Sequence, residues 1–303
     1  MHAPWSCWVV AAVSLIPFAC GCTRSPEQSA LSALKQHSLR DVKFDDNGRV
    51  RELNVSKMTA DQWTQLSAFS NLKKLSLAGT DLHDSNMDVL SGLPHLEVLL
   101  LDETGISDAD LAGLSVCTGL RHLSLVGCPV SDEGLKHLSP LKELRLLNLN
   151  ATKVTEGGLS HLTSLSNLEW LSLQKTSLEF EHCRSLAGLS RLKTLHLAGT
   201  NVNGLIARVL HDLPSLEQLY LDGTKITDED VPNLAAALAE NTPKLKGLFF
   251  DRTNVSDASI KSLQRLAELP DFALIHMTGT KISLEGYVRL RELLPQVNLI
   301  STY

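Results

Sequence analysis

The sequence lacks most of the features that mark an enzyme or a nucleic-acid-binding protein. Its 303 residues contain no glycine-rich phosphate loop, no nucleophile elbow, no H-E-x-x-H and no C-x-x-C pair. Lys and Arg do not cluster, and the formal net charge is −6, which disfavours a polyanionic partner. We therefore predict no catalytic, cofactor-binding or metal-binding residues, and no nucleic-acid partner.

Aromatic residues and pairable cysteines are also scarce. Only 5% of residues are aromatic although 43% are hydrophobic, so aliphatic side chains must fill the core. Three of the six cysteines lie in the first 22 residues, and Cys183 has no evident partner. Cys117 and Cys128 flank one predicted strand and would lie roughly 25 Å apart, far beyond disulfide reach. We expect a fold without a disulfide framework.

The N-terminal segment carries no Asp, Glu, Lys or Arg over residues 1–22, and residues 8–19 form a nearly unbroken apolar run. A run of about a dozen residues is too short to span a bilayer but is typical of a secretory signal. Its end, Ala19-Cys20-Gly21-Cys22, resembles the lipobox of bacterial lipoproteins. The resemblance implies lipidation of Cys22, with Cys20 as the alternative, and an exported lipoprotein anchored to a membrane in the periplasm or on the cell surface. A plain cleaved signal is the competing interpretation.

A fixed period of 24 residues dominates the rest of the chain. In each repeat, alternating leucines predict a short strand, and a following Ser/Thr-Asp pair such as Ser131-Asp132 predicts the start of a helix. The ninth position is Thr in all repeats but one, and we expect its side chain to bond the backbone of the neighbouring coil. Units that cannot bury their own apolar face must stack. The leucines that open the regular repeats are Leu72, Leu96, Leu120, Leu144, Leu168, Leu192 and Leu216.

This pattern resembles the leucine-rich repeat subclass L-x-x-L-x-L-x-x-[CT]-x-[IV]-[ST]-[DE]-x-[GA]-L, which many bacterial exported proteins share. The resemblance implies an α/β fold: a leucine-rich repeat solenoid, or horseshoe, with a parallel concave sheet and convex short helices. It covers about residues 42–303 and says almost nothing about function, because partners differ from member to member.

The domain organisation follows from these patterns. We predict a signal peptide over 1–22, a tether and short cap helix over 23–40, and a repeat domain over 41–303 that opens with a hairpin cap around Asn47-Gly48. The apolar spacing places the cap helix at Ser29–Ser38, and a last strand is expected over Leu293–Ile300. Repeats lengthened to 29 and 27 residues after Leu216 and Leu245 should enlarge the convex side.

The outward positions of the strands are the candidate partner-binding residues. In the C-terminal half these positions gather aromatic side chains with acidic residues beside them, on strands about 4.8 Å apart. Exposed aromatics flanked by acids are typical of a binding hot spot, although a parallel sheet also tolerates such residues without any ligand. The candidate residues are Trp170, His196, Tyr220, Asp222, Phe249, Asp251 and His276.

Together these features predict a non-enzymatic scaffold that binds a protein or a glycan through its concave face at the bacterial cell envelope. One alternative is an intracellular substrate adaptor, in which an F-box domain precedes such repeats. The roughly 20 residues between the signal-like segment and the first strand are too few for that domain. A structural envelope component without a specific ligand is the other alternative.

Overall fold

The computed structural model describes residues 25–35, 38–82, 87–179 and 186–302. The signal-like segment, with Cys20 and Cys22, lies outside the described residues, so its function stays a prediction. Twelve described strands form one sheet in which the spatial order equals the chain order. They are β1 (Leu39–Phe44), β2 (Val50–Val55), β3 (Lys74–Ser76), β4 (Val98–Leu100), β5 (His122–Ser124), β6 (Leu146–Asn148), β7 (Trp170–Ser172), β8 (Thr194–His196), β9 (Gln218–Tyr220), β10 (Gly247–Phe249), β11 (Leu274–His276) and β12 (Asn298–Ile300).

Strands β3 to β12 contain three residues each, because only three residues of each coil pair with the neighbouring coil. In β3, Leu75 points inward and is fully buried, and it lies in register with the buried Leu99 of β4. The same parallel register continues from β2 to β12, so the inward leucines form one continuous stack. Burial of each leucine contributes about 1.5–3 kcal/mol. This repeated aliphatic stack confirms the predicted leucine-rich repeat solenoid with a parallel sheet.

The N-terminal end is closed by a helix and a hairpin. Helix α1 (Pro26–Lys35) begins three residues before the expected Ser29, because Ser25 and Gln28 form a reciprocal capping box of two 3.2 Å bonds. The Glu27 carboxylate accepts a 2.8 Å bond from the Val50 amide, which ties α1 to the sheet. β1 pairs antiparallel with β2, and Gly48 turns the hairpin with a positive φ of 75°. These elements cover the apolar face of the first repeat.

The convex side is built from short helices, as the repeat pattern predicts, and nine of the described ones are 3₁₀ helices rather than α-helices. A 3₁₀ helix rises about 2.0 Å per residue against 1.5 Å for an α-helix, so it spans the back of a 24-residue coil with fewer residues. Within the described residues, seven segments are α-helical: α1, α2 (Ala60–Thr64), α3 (Asp132–Leu135), α4 (Glu156–Leu159), α5 (Val231–Asn241), α6 (Ile260–Leu263) and α7 (Leu284–Leu293). The 3₁₀ helices span Gln65–Ala68, Met87–Gly92, Asp110–Val116, Lys136–Leu138, Ser160–Leu162, Gly204–Arg208, Leu210–Asp212, Asp257–Ser259 and Gln264–Glu268.

The lengthened repeat after Leu216 enlarges the convex side as expected, because its extra residues form the 11-residue α5. The expected last strand over Leu293–Ile300 is wrong in its first half. Leu293 ends α7, and only Asn298–Ile300 forms β12. Ser283 caps α7 by accepting a 3.0 Å bond from the Gly286 amide, and this cap allows a full helix in the final coil.

The Ser/Thr-Asp pairs do more than start helices. The Asp132 carboxylate accepts a 2.7 Å bond from the Thr155 amide and a 2.5 Å bond from the Thr155 hydroxyl, one coil further on. Gly158 makes room for this carboxylate, since a Cβ there would lie 2.4 Å from Asp132 Oδ1. We call this arrangement the intercoil clamp. It recurs in four described coil pairs: Asp108 with Ser131, Asp132 with Thr155, Asp228 with Ser256, and Asp257 with Ser283.

The threonine column bonds differently from the expectation. Thr152 donates to the carbonyl of Leu149 in its own coil at 2.7 Å, and Thr104, Thr176, Thr200, Thr224, Thr253 and Thr280 repeat this pattern. Only Cys128 and Thr80 reach the carbonyl of the preceding coil, at 3.0 and 3.5 Å. The prediction of a bond to the neighbouring coil is therefore wrong for most of the column. The hydroxyl closes the turn that follows each strand, where the chain leaves the sheet.

Candidate functional site

The first and third residues of each short strand point away from the core and form the concave face. In β7 to β11 this face carries five rings, which we call the ring ladder: Trp170, His196, Tyr220, Phe249 and His276. All five side chains are partly exposed. The structure therefore brings together the five aromatic and histidine residues predicted from the sequence, across five consecutive strands.

The rings form a continuous stack. His196 and Tyr220 lie 3.7 Å apart between ring centres with planes inclined by 14°, and Tyr220 and Phe249 lie 4.0 Å apart at 11°. His276 continues the stack at 5.7 Å from Phe249, and Trp170 begins it at 5.3 Å from His196 with a tilt of 54°. Such contacts contribute about 0.5–1.5 kcal/mol each beyond burial.

Strand register explains the geometry. His196 pairs with Tyr220, Tyr220 with Phe249, and Phe249 with His276, so four rings occupy the same column of adjacent strands. Trp170 is the first residue of β7 and pairs with Thr194, so its ring reaches His196 diagonally and remains tilted. Gly247, which precedes Phe249 on the same outward face, leaves room for that ring, because a Cβ there would lie 3.0 Å from it.

The ladder is uncharged at neutral pH over most of its length. Burial lowers the pKa of His196 to about 4, so its imidazole is neutral. Burial raises the pKa of the Tyr220 hydroxyl, and the nearby Asp222 carboxylate raises it further. The Tyr220 hydroxyl donates a 2.9 Å bond to Gln218 Oε1. At the C-terminal end, His276 Nδ1 lies 3.0 Å from the Asp251 carboxylate.

The two acidic residues of the predicted site accept hydrogen bonds from backbone amides of the next coil. Asp222 Oδ1 accepts a 3.0 Å bond from the Asp251 amide, and Asp251 Oδ1 accepts a 2.6 Å bond from the Thr278 amide. Burial raises the pKa of the Asp222 carboxyl although the amide bond opposes this shift. Asn150 makes the same bond to the Gln174 amide at 2.8 Å. These positions therefore bridge adjacent coils where the strands end, a bond that the sequence analysis missed.

Two buried cysteines offer no reactive group at this face. Burial raises the pKa of the Cys117 thiol to about 11, so it stays protonated. The Cys128 thiol donates to the Leu101 carbonyl at 3.0 Å. Within the described ranges, no cluster of three or more His, Cys, Asp or Glu side chains is placed to hold a metal ion. In the same part of the chain, no helix has both the length and the apolar character needed to cross a bilayer.

Comparisons with known proteins support the same fold as the geometry. A family model described as leucine rich repeat matches residues 166–226, a segment that contains Trp170, His196 and Tyr220. The fold is a leucine-rich repeat solenoid. Among solved structures, an internalin from Listeria monocytogenes is similar to this solenoid, with a TM-score of 0.51 and 16% sequence identity over 90% of this chain and 93% of that chain. Comparison with curated proteins finds no match. The low identity to the internalin establishes the shared fold alone.

Proposed function

We propose that this leucine-rich repeat solenoid is a non-enzymatic scaffold that binds a protein through its concave face while anchored by lipid at the bacterial cell envelope. The ring ladder is the observation that carries the proposal. Five partly exposed rings lie on one face of the solenoid. Aromatic residues are prominent among the residues that dominate the binding energy of protein interfaces.

The ladder is also preorganised for binding. Each inner ring is held by its neighbours, as Tyr220 is held between His196 and Phe249 at 3.7 and 4.0 Å. Side chains that are fixed before association lose little conformational entropy when a partner binds, and that loss is about 0.5–1.5 kcal/mol for each mobile side chain. The neutral His196 adds no charge that a partner would have to desolvate.

The stacking favours a protein over a glycan. A sugar ring binds an aromatic side chain by lying flat on the ring face. Both faces of Tyr220 are covered by neighbouring rings, and Phe249 is covered on its Tyr220 side. The inner rings therefore present edges rather than open faces, and edges suit the mixed surface of a protein partner better than the face of a sugar.

The cellular location rests on the first 22 residues. The apolar run and the Ala19-Cys20-Gly21-Cys22 end support export and lipidation of Cys22. In this arrangement the segment that follows Cys22 tethers the solenoid to the membrane surface and leaves the concave face open to a neighbouring envelope protein.

Capture from an envelope extract of the source organism tests the proposal. The double variant Trp170→Ala/Tyr220→Ala removes two rungs of the ladder. The matched control Val116→Ala/Val288→Ala removes two exposed apolar side chains from the helical side, where they are 53% and 50% exposed. We expect one protease-sensitive partner to be retained by the unchanged protein and by the control, and to be lost with the ladder variant.

Equal capture by all three proteins would contradict binding at the ladder. A retained species that is sensitive to glycosidases but not to proteases would identify a glycan ligand and overturn the choice of a protein. The unfolding midpoint of each variant shows whether any loss of capture comes from loss of the fold.

A further inference from the structure

The N-terminal half of the concave face carries a second apolar surface that joins the ring ladder. Val98, His122 and Leu146 are the first residues of β4, β5 and β6, and each lies in register with the next. Leu146 in turn lies in register with Trp170, the first rung of the ladder. All are partly exposed, as is Leu100 at the end of β4. We call Val98, His122, Leu146 and Leu100 the apolar column.

His122 belongs to this column as an uncharged residue. Burial lowers the pKa of its imidazole, and the nearby Lys74 lowers it further. The column and the ladder together run from β4 to β11, and no Asp, Glu, Lys or Arg occupies the first or third position of these strands. Seven strand spacings of about 4.8 Å make the combined surface about 34 Å long and only one or two side chains wide. A surface of this shape fits an elongated segment better than a globular cap.

One side of this surface is bordered by a charged row at the beginning of the strands, which we call the entry row. Its members are Arg51, Lys73, Glu97, Arg121, Arg145, Glu169, Lys193, Glu217 and Lys246. Six are cations and three are anions, in a chain whose formal net charge is −6. The entry row is therefore net positive, opposite in sign to the whole protein.

Ion pairing within the row leaves the cations outermost. Glu97 pairs with Lys73 at 2.8 Å, and Glu169 pairs with Lys193 at 2.7 Å and with Arg145 at 3.6 Å. The paired acids are 29–34% exposed, whereas their cationic partners are 43–53% exposed. The acids hold the bases in position and are less exposed than they are, so the cationic side chains contribute most of the solvent-accessible surface along this edge.

The pKa values agree with an excess of positive charge. Hydrogen bonding to Lys73 lowers the pKa of Glu97, and the charges of Lys73, Arg121 and Arg51 add to the effect. The pKa of Glu169 is lowered in the same way by Lys193, Arg145 and Arg191. Each acid is thus surrounded by several cations, which it cannot neutralise alone.

We propose that the concave face docks an elongated protein segment with an apolar ridge and with acidic side chains on the side that faces the entry row. The apolar column and the ladder take the ridge, and Arg121 and Arg145 take the acids. This inference rests on the proposed function and adds the chemistry of the partner. A nucleic acid fits less well, because acids interrupt the row and the adjoining surface is apolar.

A phage-displayed library of random 16-residue peptides, selected on the full chain, tests the inference. We expect the enriched peptides to combine spaced apolar residues with an excess of Asp and Glu. A synthetic copy of the most enriched peptide should bind about tenfold more weakly to Arg121→Gln/Arg145→Gln, because two exposed charge pairs are lost. Raising the salt from 0.05 to 0.5 M should weaken binding to the unchanged protein and remove most of that difference.

The matched control Arg208→Gln/Lys261→Gln removes two exposed cations from the helical side and should change affinity less than twofold. Replacing the acids of the peptide by Asn and Gln should abolish the effect of the Arg121/Arg145 variant, as expected for coupled partners.

The outcomes separate the two proposals. Enriched peptides that are neutral or basic, but that still require Trp170, would overturn the acidic partner and keep the ladder as a protein-binding site. If the enriched peptides require neither Trp170 nor Arg121, or if no peptide is enriched, both the acidic partner and the binding site at the ladder would be contradicted. Competition by a 20-residue oligothymidine at a similar concentration would overturn the choice of a protein segment.

Discussion

The intercoil clamp makes a quantitative prediction about what holds adjacent coils together. Replacing Asp132 by Ala removes two bonds to Thr155, at 2.7 and 2.5 Å, and leaves the Thr155 amide without this acceptor. A bond to a charged acceptor contributes about 1.5–3 kcal/mol. Because Asp132 is only partly buried, we take the lower end and expect a loss of about 2–3 kcal/mol for the pair.

The adjacent Glu133→Ala is the matched control. Glu133 lies in the same first turn of α3, so both variants lose one acid near the helix start. Its side chain is 71% exposed and pairs with Lys136 on the surface. Exposed pairs of this kind contribute less than about 1 kcal/mol. Urea unfolding followed by circular dichroism, with both midpoint and slope fitted, measures the two losses.

Gly158 provides an independent test of the same geometry. A Cβ at Gly158 would lie 2.4 Å from Asp132 Oδ1, so Gly158→Ala should displace the carboxylate and destabilise the unchanged protein by about 1–3 kcal/mol. In the Asp132→Ala background the same substitution should cost less, because the carboxylate is gone and only the close approach to the Asp132 Cα, at 3.0 Å, remains. Equal losses for Asp132→Ala and Glu133→Ala, or the same cost of Gly158→Ala in both backgrounds, would refute the clamp.

Three further predictions concern the ladder and the anchor. Because burial lowers the pKa of His196 to about 4 from 6.5, the unfolded chain binds more protons between these values, and stability should fall as the pH drops from 6.5 to 4. His196→Phe should keep the stack and flatten this slope in urea titrations at several pH values. Tyr220→Ala should cost about 2 kcal/mol because it removes two stacked contacts, whereas Tyr220→Phe, which loses only the bond to Gln218, should cost less than about 1 kcal/mol by the same titration. Cys22→Ser should move the protein from the membrane fraction to the soluble fraction of cells, Cys20→Ser should not, and continued membrane association of the Cys22 variant would argue against lipid at that residue.

The repeating leucines made the fold predictable. Alternation such as Leu75 and Leu77 fixes which side of the strand is buried, and the constant period fixes the register between coils. The ring ladder followed from the same register, because residues at equivalent positions of adjacent coils must lie side by side. Ring stacking did not follow, since it depends on the side-chain rotamers and on the space that Gly247 leaves beside Phe249.

The intercoil bonds were missed for a different reason. Asp108 and Ser131 lie 23 residues apart and meet only when coils are stacked in register. A search for donor–acceptor pairs one residue short of the 24-residue period would have found the clamp. The conformation of the turn after each strand could not be predicted for another reason. It requires a positive φ, which glycine adopts freely, but Glu103, Ala151, Lys175 and Arg252 adopt φ of 54–57° there.

If the ring ladder is the binding surface, it must contact a protein in the cell. The most direct test replaces Phe249 by the photoreactive amino acid p-benzoylphenylalanine and irradiates living cells of the source organism. A matched protein carries the same group at the exposed Val116 on the helical side. We predict a discrete protein adduct from position 249 that position 116 does not give and that Trp170→Ala abolishes. Adducts that are absent from position 249, or identical from both positions, would contradict binding at the ladder.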